Sequence, residues 1–186
     1  MEAAAAGSQP RYGSTLTFHG WSANSRFVAY TRVRHQADPH APDGERREVQ
    51  RMHRQVRRGV FVGFGSWVGG EVEALAQEHG YAAVKAPRER ISDDLTRFRV
   101  GDAVFDVAWR VGDRVGWELR RGDTVLGAGA FDTPYLAGEF TLFPSPDGEQ
   151  ALLVARLDAG WVIDTAVFPV PLGAALPPRP SDAPSR

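Results

Sequence analysis

The sequence predicts a mainly β (α+β) fold: an antiparallel β-meander or partial propeller-like sheet with two short helices inserted in its N-terminal half. Three observations carry that expectation. Gly-Asp pairs at 101–102, 112–113 and 122–123 recur about every ten residues, as the corners of a meander do, and a leading glycine supplies the positive φ of a two-residue hairpin turn. Between these corners Phe105, Val107, Trp109 and Val111 alternate with Asp106 and Arg110, and Val115, Trp117 and Leu119 alternate with Glu118 and Arg120, so one face is apolar and the other wet. The run 151–155 is apolar at every position, the pattern of a strand covered on both faces.

The elements follow in chain order. Leu16 and Phe18, then Phe27, Ala29 and Thr31, alternate as a strand pair within 15–34, turned by Ser22, Ala23, Asn24 and Ser25. Prolines 39 and 42 with Gly44 make 35–44 a loop. Val49, Met52 and Val56 recur at three- and four-residue steps, which predicts a helix over 45–58 capped by Asp43 and stopped at Gly59. A short strand, 60–64, enters a glycine-rich loop. A second helix, 71–79, stacks Val72, Leu75, Ala76 and His79 on one stripe and ends at Gly80, and 81–84 reads as a strand. Strands over 139–143, 150–158 and 161–170 complete the β region. A single domain over 15–171 is expected, with a disordered N-terminal stub (1–14) and a disordered Pro-rich tail (172–186) carrying four prolines from Pro177 onward.

Composition narrows the chemistry. At 186 residues and 20.3 kDa the chain can bury a core without staples. Its 22 basic and 23 acidic side chains leave a formal charge of -1, so no global field favours nucleic acid, and none is expected as a partner. The absence of cysteine removes disulfides, thiolate catalysis and Cys-ligated metals. No apolar run approaches the roughly 18 residues of a spanning helix, so no integral membrane segment is expected. Met1 to Pro10 lacks the basic start and apolar stretch of an intact signal peptide.

Two turns share a pattern. Trp21-Ser22-Ala23-Asn24-Ser25-Arg26 followed by Phe27 to Tyr30, and Phe143-Pro144-Ser145-Pro146-Asp147-Gly148 followed by Glu149 to Leu153, each place a serine and an Asx residue before an apolar strand. This pattern resembles the WD40-like propeller repeat of TolB-type bacterial proteins. The copies stand far more than one blade apart, blades recurring about every 40 to 45 residues, and helices are expected between them, so a complete propeller is not. The arrangement is similar to small predicted exported bacterial proteins of unknown function. The resemblance implies an extracytoplasmic β protein, periplasmic or secreted, and carries over no catalytic residue.

Candidate sites are few. The order strand, glycine-rich loop, helix makes Gly63, Gly65, Ser66, Trp67, Gly69 and Gly70 a candidate phosphate or nucleotide loop, although the third glycine of G-x-G-x-x-G falls one position late and no acidic residue follows 81–84 at the position that would hold a ribose. Phe64 stands where a nucleophile elbow needs glycine. Arg47, Arg51, Arg54 and Arg58 share one face of the predicted helix 45–58 and form a candidate partner-binding stripe. His35 and His40 share a loop with Asp38 and Asp43, but a proline-rich loop preorganises metal ligands poorly. The adjacent Asp93 and Asp94 offer no acid–base pair, and no catalytic residue, cofactor or metal site is assigned. These readings point to a noncatalytic β-rich module, exported in the setting the turns imply, that binds a protein or envelope partner. The alternative is a protein binding a nucleotide or phosphate ligand through 63–71.

Overall fold

Short hydrogen-bonded turns joining apolar strands dominate the computed structural model, which describes residues 12–67, 71–110, 115–131, 136–160 and 162–173. The chain runs β1 (Tyr12–Trp21), β2 (Phe27–Ala37), β3 (Glu45–Arg57), β4 (Val60–Trp67), α1 (Val72–Glu78), β5 (Arg88–Ser92), β6 (Leu95–Val100), β7 (Ala103–Arg110), β8 (Val115–Arg121), β9 (Thr124–Phe131), β10 (Ala137–Pro144), β11 (Gln150–Asp158) and β12 (Val162–Pro171). A five-stranded antiparallel meander, β5 to β9 in sequence order, forms one sheet. The other has seven strands in the order β10-β11-β12-β1-β2-β3-β4, antiparallel throughout except where β1 meets β12 in parallel at Tyr12–Val162 and Gly13–Ile163.

The Gly-Asp corners fall where the sequence places them. Val100 pairs with Ala103 and Arg121 with Thr124, so 101–102 and 122–123 are two-residue loops, and Gly101 and Gly122 take φ of 57° and 55° to match the strand twist. The corner at 112–113 lies outside the described residues. Phe105, Val107 and Trp109 of β7 with Trp117 and Leu119 of β8 are buried as the alternation requires. Their polar neighbours pair across the wet face, Arg97 with Asp106 at 2.8 Å and Arg120 with Glu118 at 3.1 Å.

Two cores share one wall. Leu153, Ala155 and Leu157 of β11 join Phe140, Leu142 and Val170 against the five-stranded meander. Leu152 and Val154 face the other way, packing with Phe143 and Val167 against Phe18, Trp21, Val28, Tyr30 and Val56 from β1 to β3. The seven-stranded sheet therefore bends back so that β1 to β4 cover the second face of β10 to β12. That is why 151–155 is apolar on both sides. Trp21, fully buried, ties the layers by donating from Nε1 to the Phe143 carbonyl at 2.9 Å.

The N-terminal half departs from expectation at several places, the first being residues 12–14, which belong to β1 and not to a disordered stub. Residues 45–57 are a strand, β3, and not a helix, and α1 is the one helix among the described residues. Arg, Glu, Gln and Met favour helix locally, but β3 pairs along its length with β2, from Phe27–Gln55 to Ala37–Glu45, and this pairing places Met52 and Val56 in the core. The helical spacing of Val49, Met52 and Val56 was a coincidence of composition, since Val49 faces away from the other two. At 81–84 a single bridge, Trp21–Ala82, replaces the expected strand. In β2 the core side is Val28 and Tyr30, while Ala29 on the opposite face is covered by α1 through Val72 and Ala76. A bulge at His19 shifts the β1 register so that Phe18 and Trp21 both point inward.

Two half-buried histidines lie on the α1 side of the sheet, beside Ala29 and Thr31. His53 stacks on Phe27, with ring centroids 5.1 Å apart, and its Nε2 is 2.7 Å from the Tyr81 hydroxyl. His19 Nε2 lies 2.8 Å from Thr31 Oγ1 and 3.9 Å from Glu73. Burial lowers the pKa of both rings, reinforced at His53 by His79 and opposed at His19 by Glu73. With folded values below the ordinary 6.5, the unfolded chain binds more protons in that window. Stability is then full above about pH 6.5 and falls as the pH drops through the lowered folded values. The urea midpoint is expected to fall between about pH 7.5 and 5.5, with a shallower slope in His53→Gln; equal slopes would refute this account.

Glycines make room for the tryptophans of the meander. A Cβ on Gly129 would sit 2.5 Å from Trp117 Nε1, and one on Gly138 would sit 2.7 Å from the Trp109 ring. Both indoles are buried and hemmed in by phenylalanines, Trp117 by Phe168 and Trp109 by Phe131 and Phe140. Gly129→Ala is expected to destabilise by about 1–3 kcal/mol in urea unfolding, the range for overpacking, whereas Gly127→Ala, whose Cβ would come no nearer than 3.3 Å to the flexible Val170 side chain, should cost less.

Candidate functional site at the paired serine turns

The two serine turns are built alike, bond for bond. In the first, the Ser22 amide donates to Phe27 O at 2.9 Å, the Phe27 amide to Ser22 Oγ at 2.9 Å, and the Arg26 amide to Asn24 Oδ1 at 3.1 Å. In the second, the Ser145 amide donates to Gln150 O at 2.8 Å, the Gln150 amide to Ser145 Oγ at 3.2 Å, and the Glu149 amide to Asp147 Oδ1 at 3.1 Å. Ser25 and Gly148 hold the same left-handed position, at φ of 59° and 73°. A serine hydroxyl and an Asx carboxyl or amide oxygen satisfying nearby amides explain why this pattern makes this turn.

Far apart in sequence, the turns touch in space. The Asp147 amide donates to Ser25 Oγ at 3.1 Å, and the buried Gln150 side chain donates from Nε2 to the Ser25 carbonyl at 2.6 Å. The Gln150 Oε1 accepts the Gly59 amide at 3.1 Å, bringing in a third loop. That loop is the hairpin between β3 and β4, where Arg57 pairs with Val60 around Arg58 and Gly59, at φ of 52° and 73°. Positive φ at both central residues defines a type I′ turn, for which Asn-Gly is the common choice. Gly59 also lies against β12, since a Cβ there would fall 2.1 Å from Pro171 N.

A cleft of 740 Å3 opens between the three loops, lined by Asn24, Ser25, Arg26, Arg57, Arg58, Asp147 and Glu149 with Gln150 at its base. Its volume lies within the usual range of ligand clefts, about 300–1,000 Å3. Arg26, Arg57 and Arg58 are exposed, and among the described residues none of the three has an ion-pair partner. Ser25 and Arg58 are the two non-glycine residues held at positive φ among the described residues, and both line this cleft. Such conformations cost about 1 kcal/mol or more and gather at functional sites.

Comparison of the chain with family models, with curated proteins and with solved structures finds no match.

The residues singled out from sequence are redistributed. Arg47, Arg51, Arg54 and Arg58 form no single stripe, because successive side chains of a strand alternate between faces. Arg47 and Arg51 share one face of β3 and Arg54 the other, where its guanidinium stands 3.8 Å over the Phe61 ring and donates to Gly63 O at 3.3 Å. Arg58 alone of the four reaches the cleft, joined there by Arg26 and Arg57, which the helical reading missed. Gly63, Gly65, Ser66 and Trp67 belong to edge strand β4 and not to a loop. Gln55 pairs with Val62 and His53 with Ser66, so Gly63 to Gly65 form a bulge opposite Arg54. Gly69, Gly70 and the side chain of Trp67 lie outside the described residues.

His35 pairs through Nδ1 with Glu45 Oε1, while Asp38 Oδ1 accepts the His40 amide at 2.9 Å and Asp43 Oδ1 the Glu45 amide at 3.2 Å. These contacts serve the β2–β3 turn, and among the described residues no group of three His, Asp or Glu is placed to hold a metal ion. Nor, among the described residues, is any helix long and apolar enough to cross a membrane. A smaller hollow of 220 Å3 between β5 and β10 is charged, but its groups are matched to one another, Arg88 to Glu139 and Arg90 to Asp93, each at 2.7 Å.

Gln150→Leu removes both side-chain bonds at once, leaving the Ser25 carbonyl and the Gly59 amide unpaired where both residues are buried. A loss of about 2–4 kcal/mol in urea unfolding is expected. A loss under about 0.5 kcal/mol would show that the three loops hold together without this amide.

Proposed function

We propose that this protein is a noncatalytic β-rich module that binds a partner protein at the end of the molecule where the two serine turns meet. One observation carries the reading: the two left-handed non-glycine residues and three unpaired arginines gather around one open cleft whose base is a buried amide. Exposed groups in a rigid frame are what recognition by loops requires. The likeness of both turns to TolB-type repeats supports the same reading and adds an exported, envelope setting to the proposal.

Site-directed photocrosslinking in the native host tests it. Ala23 is exposed on the first turn beside the cleft, and Val84 is 62% exposed away from it, so each can take a benzoyl-phenylalanine. A discrete protein crosslinked from position 23 and not from position 84 is expected. No adduct at 23, or the same adducts at both positions, would sink the proposal.

A further inference from the structure

We infer that the cleft at the serine turns receives an acidic segment of the partner protein, its carboxylates held by Arg26, Arg57 and Arg58. This inference rests on the binding role proposed above and names the partner's chemistry.

The three guanidinium groups come from two loops fixed to the same buried amide. Gln150 binds the Ser25 carbonyl beside Arg26 and the Gly59 amide beside Arg58, so the arginine backbones are set before any partner arrives. A preorganised planar donor pair suits a carboxylate, which it meets with two parallel hydrogen bonds. Arg32, Arg88, Arg97 and Arg110 are answered within the chain by Asp164, Glu139, Asp106 and Glu118. Arg26, Arg57 and Arg58 have no such partner, as Arg34, Arg46, Arg47, Arg51 and Arg99 have none among the described residues, but these three converge on one cleft. Asp147 and Glu149 line the same cleft, but Asp147 Oδ1 already accepts the Ser145 hydroxyl and the Glu149 amide, so this carboxylate is committed to its own turn.

Conformation adds an independent argument. The type I′ position of Arg58 is one where asparagine or glycine is favoured, so arginine there works against the turn. A residue that the fold disfavours, with its side chain exposed in a cleft, is retained for what the side chain contacts. The acidic groups lining the cleft also decide between classes of anion. A nucleic acid strand carries a phosphate at every nucleotide and would meet Asp147 and Glu149 as well as the arginines, whereas a peptide presents carboxylates at spaced positions. The exposed setting of all three arginines fits an extended segment laid across the loops better than a small molecule enclosed by them.

Fluorescence anisotropy with the full chain tests the inference. The probes are labelled peptides of about twelve residues, one of alternating Glu and Gly, one of Ser and Gly, and an oligothymidylate of similar length. The acidic peptide is expected to bind, the neutral one not, and affinity is expected to fall as NaCl rises from roughly 50 to 300 mM. Arg58→Asn should weaken the acidic peptide about threefold to tenfold while leaving the melting temperature unchanged or raised, because asparagine suits the turn better. Arg26→Glu with Arg57→Glu should abolish binding. Equal binding of acidic and neutral peptides, tighter binding of the oligothymidylate, or an Arg58→Asn variant of undiminished affinity would each overturn the inference. Crosslinking at position 23 without acidic-peptide binding would remove only the partner's chemistry, and loss of both would remove the binding role itself.

Discussion

The Gln150 carboxamide is the constraint on which the rest of this end of the molecule depends. It sits at the start of β11, on the strand that both cores share, and it addresses two loops from different parts of the chain. Its own backbone closes the second serine turn, and its side chain fixes the first turn and the β3–β4 hairpin. A neutral amide suits this task because one group must donate to a carbonyl and accept from an amide in a dry place, which neither a carboxylate nor an ammonium can do. The charged groups of the cleft are thus carried on loops whose positions are set by an uncharged bond network beneath them.

The layering around β10 to β12 explains how a chain of this size supports such a surface. Each of these strands contributes side chains to both cores, so most of the middle layer is packed on both faces and has little freedom to shift. Trp21 reaches across from β1 to the end of β10, and the meander closes the other side with tryptophans fitted over glycines. Loops at the margin of a body packed on both sides hold a defined geometry that isolated hairpins do not.

Much of the C-terminal half is legible because its signals are local. Gly101 and Gly122 announce their turns, alternation from Phe105 to Leu119 assigns faces, and the unbroken apolar run of β11 announces a covered strand. The N-terminal half hides its structure in pairing. Nothing within 45–57 says strand more loudly than helix, since Arg, Glu and Gln are helix formers and its valines fall by chance at helical steps; only the partnership with β2 decides it. The candidate site shows the same division. Each serine turn is readable from its own residues, but their meeting depends on how the sheet bends. The Arg58-Gly59 corner lacks the Asn-Gly pair that would mark a tight hairpin, and so it passes for a helix end.

The short parallel contact of β1 with β12 has a consequence for the order of events during folding. Tyr12 and Gly13 lie beside Val162 and Ile163, so β1 waits for β12 before the larger sheet is whole. The meander, whose strands pair only with sequence neighbours, closes its hydrogen-bond ladder through local contacts. The arginine-lined cleft, which needs β11, belongs to the sheet whose closure spans most of the described chain, where loop-closure entropy weighs most.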